Sequence, residues 1–547
     1  MPLEQKLFDF EYLTSLFAKW YAPYEWKRET VKHDLYDVTP WIARIRASRG
    51  DLEFLEICGE YLAALKDSHT RFEFSSSFLA DLGVLFDIYD GKVLLDSINR
   101  NRLPAGQYPF AIGDELISID GKPVGQLVDE IARLTASSNE SSRRRLAAGR
   151  IGRRFQSFLP RAVELGPEAV VVLRRANGET ATYTLPWVKT GTEVTEIGPV
   201  PSPGPRLFHL TAPQPGPDSD LQFQKFQVPE QHFVLGVGAR APVFALPQGF
   251  TMRLGAAPQD SFLSGTFQAG GLNIGFIRIP NFSAVAPPTA VAGVPAINQF
   301  TAETQALEQI TDGLVIDLTR NPGGGGCHTE QLLQRIFPNG YRSLGQEVRA
   351  TLELRTFAYS IWTFFRNGGA PAPLVAALEA QYRAIDTAYS ENRGRTGPVS
   401  LCFIDPSLDK PPFTDPAGRV IAYSKPLIVL TDEFTSSAAE IFAAAVQDNR
   451  RGLIVGSRTN GAGGAQHFHP FAATVYSESA ATVTESLVVR SEVRQAPGLP
   501  ATAYLENIGV QPDVPVELMT AENLTGGGRA FTTAFTASIV DHIRRSR

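Results

Sequence analysis

Two hydrophobic periods alternate along this chain. In residues 1 to about 75 apolar positions recur at helical spacing, most clearly over Phe54–Leu65, and predict a helical region. That region ends at Lys66–Phe72, which alternates like a strand. From about 78 to 190 short period-two runs take over. Leu82–Leu95 predicts two strands joined at Asp90-Gly91, and Gly113–Val124 another strand with an Asp-Gly turn. A helical stretch follows, and Ala169–Leu185 closes as a hairpin. Residues 191–270, rich in Pro and Gly from Gly198–Pro205 onward, predict a linker with irregular β structure. From Leu272 the pattern becomes α/β. It predicts strands at Ile274–Ile279, Gly313–Leu318, Lys425–Leu430 and Gly452–Gly456. It predicts helices at Ala296–Ile310, at Glu330–Ile336, around Leu374–Tyr389, and opening at Ser437. No internal repeat is visible.

Bulk properties narrow the class. At 547 residues the chain is long enough for about three or four domains. Hydrophobic residues make up 43% and charged residues 20%, so each domain can bury a core. The net charge is −6 and no basic block stands out, which argues against nucleic acid as a partner. Arg143–Arg145, with Arg150, Arg153 and Arg154, reads as a solvated helix face. Cys58, Cys327 and Cys402 lie far apart, and no disulfide framework or zinc spacing is expected. No apolar run approaches a membrane span, and the N-terminus has no signal-peptide pattern, so the default expectation is a cytoplasmic protein.

Two strings carry candidate chemistry. The first is Thr431–Asp448, where a buried strand leads into Ser437-Ala-Ala-Glu440 and a helix. A serine on a strand-to-helix turn sits among outward N–H groups at the positive end of a helix dipole, where an acyl-transfer nucleophile is wanted. The same S-x-x-E spacing is that of a capping box, so both readings stand. The second string is Thr319–Gly326, four glycines directly after a strand. They permit close backbone approach and suit one side of an oxyanion hole, with the N–H after Ser437 as the other. A flexible connection is the alternative. No Gly-Lys-Ser/Thr follows, so a phosphate loop is disfavoured.

Resemblance sharpens this. The string Gly113–Gly121 and the strand order around it resemble a PDZ domain. That implies a peptide-receiving loop at Leu82, Gly83 and Val84. Val315–Gly324, Thr435–Ala443 with Gln447–Arg450 and Val455–Gly461, and Glu506–Asp513 together resemble the C-terminal processing (tail-specific) family of serine peptidases. The resemblance covers most of the chain past residue 50. It implies a ClpP/crotonase-like αβ-superhelix catalytic core over 271–547, an N-terminal helical region over 1–75, and a PDZ-like domain inserted at 78–190. It also implies Ser437 as nucleophile and an oxyanion hole from Ala438 with Gly323 and Gly324.

One departure decides the branch. Bacterial and plastid members take their base from a lysine downstream of the nucleophile. Here that slot holds Ala462, and no lysine follows Lys425. A serine needs a partner to accept its proton. Among eight histidines, His69, His328, His467 and His469 are candidates. The tricorn core and chlamydial activity-factor branch uses Ser, His and Glu, and the resemblance to it implies His69 as base, Glu506 as its orienting carboxylate and Ser68 assisting Glu506. Glu485 or Glu492 could replace Glu506, and a junction histidine capping the preceding helix is the plain alternative for His69. The site logic is that of Ser-His-acid hydrolysis on an unrelated fold. No metal or cofactor is implied. The expected partner is a protein or peptide substrate, and relatives of the activity-factor type suggest a homodimer. Two other readings share the core: a non-catalytic lipid- or peptide-binding protein, and an acyl-CoA enzyme of the crotonase type.

Overall fold

The computed structural model describes residues 1–197, 235–283, 294–403, 405–469 and 473–547; the linker expected from Gly198–Pro205 lies outside them. The chain forms two compact units. One comprises Met1–Leu235, Gln466–Thr484 and Met519–Thr525; the other comprises Gly236–Ala465, Glu485–Leu518 and Gly526–Arg547.

In the first unit, helices Leu3–Trp20, Tyr24–Thr30, Thr39–Ala47 and Asp51–Ala63 precede the short strand Arg71–Glu73. Phe10, Leu13 and Phe17 of the first helix and Phe54, Leu55, Cys58, Tyr61 and Leu62 of the fourth are buried in one core, as their three- and four-residue spacing requires. Phe72 joins that core, and its strand pairs antiparallel with Ala480–Thr484.

The PDZ-like part of this unit is an antiparallel sheet of Val84–Tyr89, Lys92–Ile98, Glu115–Ile119, Glu168–Arg174 and Thr180–Pro186. Both Asp-Gly signals are genuine hairpin turns. Asp90 and Gly91 have φ of 49° and 75°, and Asp120 and Gly121 have 51° and 75°. Such left-handed pairs match the twist of flanking strands. Helices Val124–Ala132 and Glu140–Gly149 follow the second of these turns, ahead of strand Glu168–Arg174. Arg145 departs from the expected solvated face: it is 2% exposed and pairs with Asp87.

The second unit is built on a seven-stranded sheet in the order Thr251–Leu254, Leu263–Ala269, Leu272–Arg278, Gly313–Asp317, Leu427–Thr431, Leu453–Gly456, Val514–Pro515. The first three strands are antiparallel, and from Leu272–Arg278 onward every pairing is parallel. Gly313–Asp317 and Leu427–Thr431 are buried at every position, which is why they read as unbroken apolar runs. Helices Val294–Ile310, Gly326–Gln334 and Ala438–Asp448 fall between parallel strands.

Two expectations are corrected. Residues 340 to 420 hold a second helix, Leu352–Asn367, beside Ala372–Ser390. Its aromatic and β-branched run obscures the helical period, but Thr351 caps it by accepting from the Leu354 N–H, and Trp362 stacks on Tyr382. Cys327 and Cys402 form a disulfide with Cα atoms 4.7 Å apart, across 75 residues of sequence. The fold brings the helix after the glycine loop against Leu401: a Cβ on Gly326 would lie 3.4 Å from the Leu401 Cβ. Sequence spacing alone carries no trace of such a contact. Cys58 is free and buried.

Candidate active site

Ser437 occupies the turn between strand Leu427–Thr431 and helix Ala438–Asp448, with φ 53° and ψ −122°. A left-handed serine is strained and persists only where its surroundings hold it. They do so here. The Ser437 N–H donates to Glu440 Oε2 at 3.0 Å, and the Ser436 N–H to the Asn321 carbonyl at 2.9 Å. The Thr435 hydroxyl donates to the Leu318 carbonyl at 2.9 Å. Ser437 itself is half-buried. The Ala438 N–H opens the helix and has no intrahelical acceptor.

The glycine loop lies against this turn. Gly323 has φ 98°, and a Cβ there would stand 2.6 Å from the Ser437 Cβ and 2.8 Å from the Ala438 nitrogen. No side chain fits. Asn321 shapes the loop: its Oδ1 accepts the Gly323 N–H at 2.8 Å and its Nδ2 donates to the Ile279 carbonyl at 2.8 Å. The Gly323 N–H is therefore engaged, and Gly323 acts by letting the loop approach. The Gly324 N–H has no acceptor among the described residues; Gly324 is bridged to Phe282 in parallel register, with φ 144°.

Glu440 is more than a cap. It is fully buried, and besides Ser437 it accepts from the Thr459 hydroxyl at 2.6 Å, the Gly461 N–H at 2.6 Å and the Ala462 N–H at 2.8 Å. Burial pushes its carboxyl up to about 7, against the pull of these four donors toward the charged form. One carboxylate thus ties Ser437 to the turn that carries Ala462. The S-x-x-E string signals the local half of this role; its reach to residues 459–462 is set by the fold.

Glu506 meets the same turn. Its Oε2 accepts the Gly463 N–H at 2.8 Å, it is fully buried, and a Cβ on Gly463 would lie 2.2 Å from its nitrogen. Of the two alternative carboxylates, Glu492 is exposed and Glu485 half-buried. Ser437, Glu440, Ala462 and Glu506 all belong to the second unit.

Ser68 and His69 belong to the first. They sit on a tight turn whose Asp67 carboxylate accepts the His69 N–H at 2.8 Å and the Tyr21 hydroxyl at 2.9 Å. Lys27 donates to the Lys66 carbonyl at 2.8 Å, and Ser68 exchanges two hydrogen bonds with Ser138. The His69 ring is buried and its Nδ1 has no partner among the described residues. Burial holds its pKa below the ordinary 6.5, with Asp67 opposing, so the ring is neutral at pH 7 and able to accept a proton. His328 follows the glycine loop; its Nδ1 lies 3.1 Å from the Phe282 carbonyl, and burial lowers its pKa too. The side chains of His467 and His469 lie outside the described residues. Leu82, Gly83 and Val84 lead into the first strand of the PDZ-like sheet, where the Leu82 N–H donates to the Gly152 carbonyl at 2.9 Å and the Gly83 N–H to Asp81 at 2.6 Å.

A serine strained at a helix N-terminus beside a glycine loop, on a largely parallel sheet, is an arrangement suited to acyl transfer by a serine-type peptidase. In comparison with known proteins, residues 273–516 match the model of peptidase family S41 and residues 80–194 that of a PDZ domain, and the chain is a serine-type peptidase. A protein of Chlamydia trachomatis is 24% identical over 92% of this chain and 87% of its own length. The chloroplastic C-terminal processing peptidase of Tetradesmus obliquus is 36% identical over 18% of this chain and 19% of its own. The structure of mature CPAF superposes with a TM-score of 0.77 over 99% of each chain at 21% identity, which establishes the shared fold.

Proposed function

We propose that this chain hydrolyses peptide bonds through an acyl-enzyme with Ser437 as nucleophile and His69 as general base. The observation that carries the reading is Ser437 itself: a left-handed serine at a helix start, with Gly323 packed against it and the Ala438 N–H without an acceptor among the described residues. In the proposed cycle Ser437 Oγ attacks the substrate carbonyl carbon as its proton passes to His69. The oxyanion is received by the Ala438 and Gly324 N–H groups. The C–N bond breaks as His69 returns the proton to the leaving amine, and water then releases the acyl group by the reverse transfers. Glu506 orients His69, and Ser68 assists Glu506. The finer assignment is to a C-terminal processing or endopeptidase activity acting as a homodimer. Mass analysis of cleavage products and sedimentation test those two points.

The decisive experiment is labelling by a fluorescent fluorophosphonate. Wild type should label, and Ser437→Ala, His69→Ala and Glu506→Ala should lose it wholly or in large part. Persistent labelling of His69→Ala would move the base to another histidine, first of all His328. Wild type that resists the probe would remove Ser437 as an activated nucleophile.

A further inference from the structure

A PDZ domain receives a peptide carboxylate on the N–H groups of the loop before its second strand, and the peptide then lies as an added strand between that strand and a helix. In this chain two of those groups, on Leu82 and Gly83, have internal partners. The Leu82 N–H donates to the Gly152 carbonyl at 2.9 Å and the Gly83 N–H to Asp81 Oδ1 at 2.6 Å, with Arg102 paired to the same oxygen at 3.1 Å. Gly152 presses on the strand itself, since a Cβ there would lie 2.1 Å from the Val84 carbonyl oxygen. Helix Glu140–Gly149 packs against strand Val84–Tyr89, and Arg145 from that helix grips Asp87 of the strand in two hydrogen bonds of 2.9 and 2.6 Å. The pair is 2% and 1% exposed. An entering peptide would have to break it, leaving a buried charge unpaired.

The start of the same helix reaches the turn that carries His69. The Ser138 N–H donates to Ser68 Oγ at 2.8 Å and the Ser68 N–H to Ser138 Oγ at 2.9 Å. Ser138 is fixed to its helix from both sides: Ser137 and Ser142 share a 2.8 Å hydroxyl contact, and Asn139 caps the helix by accepting from the Ser141 N–H at 2.9 Å. Ser138 is itself buried. Ser68 and Ser138 are 70 residues apart in sequence, so this reciprocal pair is a tertiary clamp on the residue directly before the base.

We propose that the PDZ-like domain of this chain does not capture peptide C-termini at its Gly83 loop but serves as the mount of the base turn, with Ser138 a positioning residue for His69. The positioning half rests on the reading of His69 as general base; the closed groove does not. The test uses the full chain in two arms. Ser138→Ala should lower kcat by about ten- to a hundredfold, as a misplacement near 1 Å does, with KM within about twofold and a parallel fall in fluorophosphonate labelling rate. Unchanged kcat overturns the proposal, as does a loss explained by unfolding in a thermal melt. In the second arm a pool of peptides with free C-termini is added to Ser437→Ala, and amide hydrogen exchange is read over residues 82–89. Unaltered exchange is expected, and peptide-dependent protection there overturns the closed groove. His69→Ala run beside both arms separates the failures. If it labels like wild type, the base reading falls and the positioning half with it, while the exchange arm still decides the groove.

Discussion

At the scale of single residues, the site depends on one serine that is strained and one glycine that cannot be replaced. Ser437 adopts φ 53° because Glu440 holds its N–H and because Gly323 leaves room beside it. A methyl group on Gly323 would both force a β-carbon into φ 98° and overlap the Ser437 Cβ. We expect Gly323→Ala to cost about 1–3 kcal/mol of stability and to cut kcat by about a hundredfold or more, with substrate affinity little changed. Steady-state kinetics on the folded variant check this; wild-type kcat would show that the loop has freedom the packing denies. His69 gives a second expectation. Burial lowers its pKa, so its neutral form persists below pH 6.5. If it is the base, the acidic limb of kcat/KM has its midpoint below 6.5, and a midpoint above that value would point to a different group. At this scale much was readable in advance. Ser437 stands in a string whose strand, turn and helix are all local, and Gly323 lies in a run of glycines. The four-donor cradle of Glu440 was not readable beyond its cap, because Thr459, Gly461 and Ala462 come from the next turn of the fold.

At the scale of elements, the strand-to-helix unit and the turn 459–463 are held together by a buried acid, and this has a pH signature. The Glu440 carboxyl is raised from 4.5 to about 7 by burial. Between those values the folded chain keeps a proton that the unfolded chain has released. The stability tied to that proton is fully present below about pH 4.5 and is lost as pH rises through about 7. Wild type should therefore lose about 3 kcal/mol relative to Glu440→Gln across that window. Glu56 and Glu485 are also raised to about 7, but they are present in both proteins and cancel in the difference. Urea unfolding of the two proteins at several pH values measures it, and parallel stability curves would mean that Glu440 titrates as an ordinary carboxyl. Elements with a clean period or a strong turn signal, such as the Asp-Gly hairpins and the buried parallel strands, followed from the sequence. Leu352–Asn367 did not: Phe357, Ile361, Trp362 and Phe364 blur its helical face, and among the described residues only Ala358 of that helix is buried.

At the scale of the whole molecule, the α/β class and the inserted PDZ-like domain were legible from strings in order, whereas the covalent constraint between distant segments was not. The Cys327–Cys402 disulfide closes a loop across 75 residues, from the helix directly after the glycine loop to the segment after strand Val399–Ser400. By the chain-entropy argument a loop of this length contributes about 4 kcal/mol by restricting the unfolded chain. Two measurements follow. Thiol titration of the denatured, non-reduced protein should find one free thiol, that of Cys58, and three would show the bond absent. Reduction, or the double variant Cys327→Ser with Cys402→Ser, should lower unfolding stability by up to about 4 kcal/mol. Because Cys327 stands one residue past Gly326, the reduced protein should also label more slowly with fluorophosphonate at temperatures where it remains folded. Loss of stability with an unchanged labelling rate would mean that the bond holds the fold and leaves the glycine loop to Asn321 and Phe282 alone.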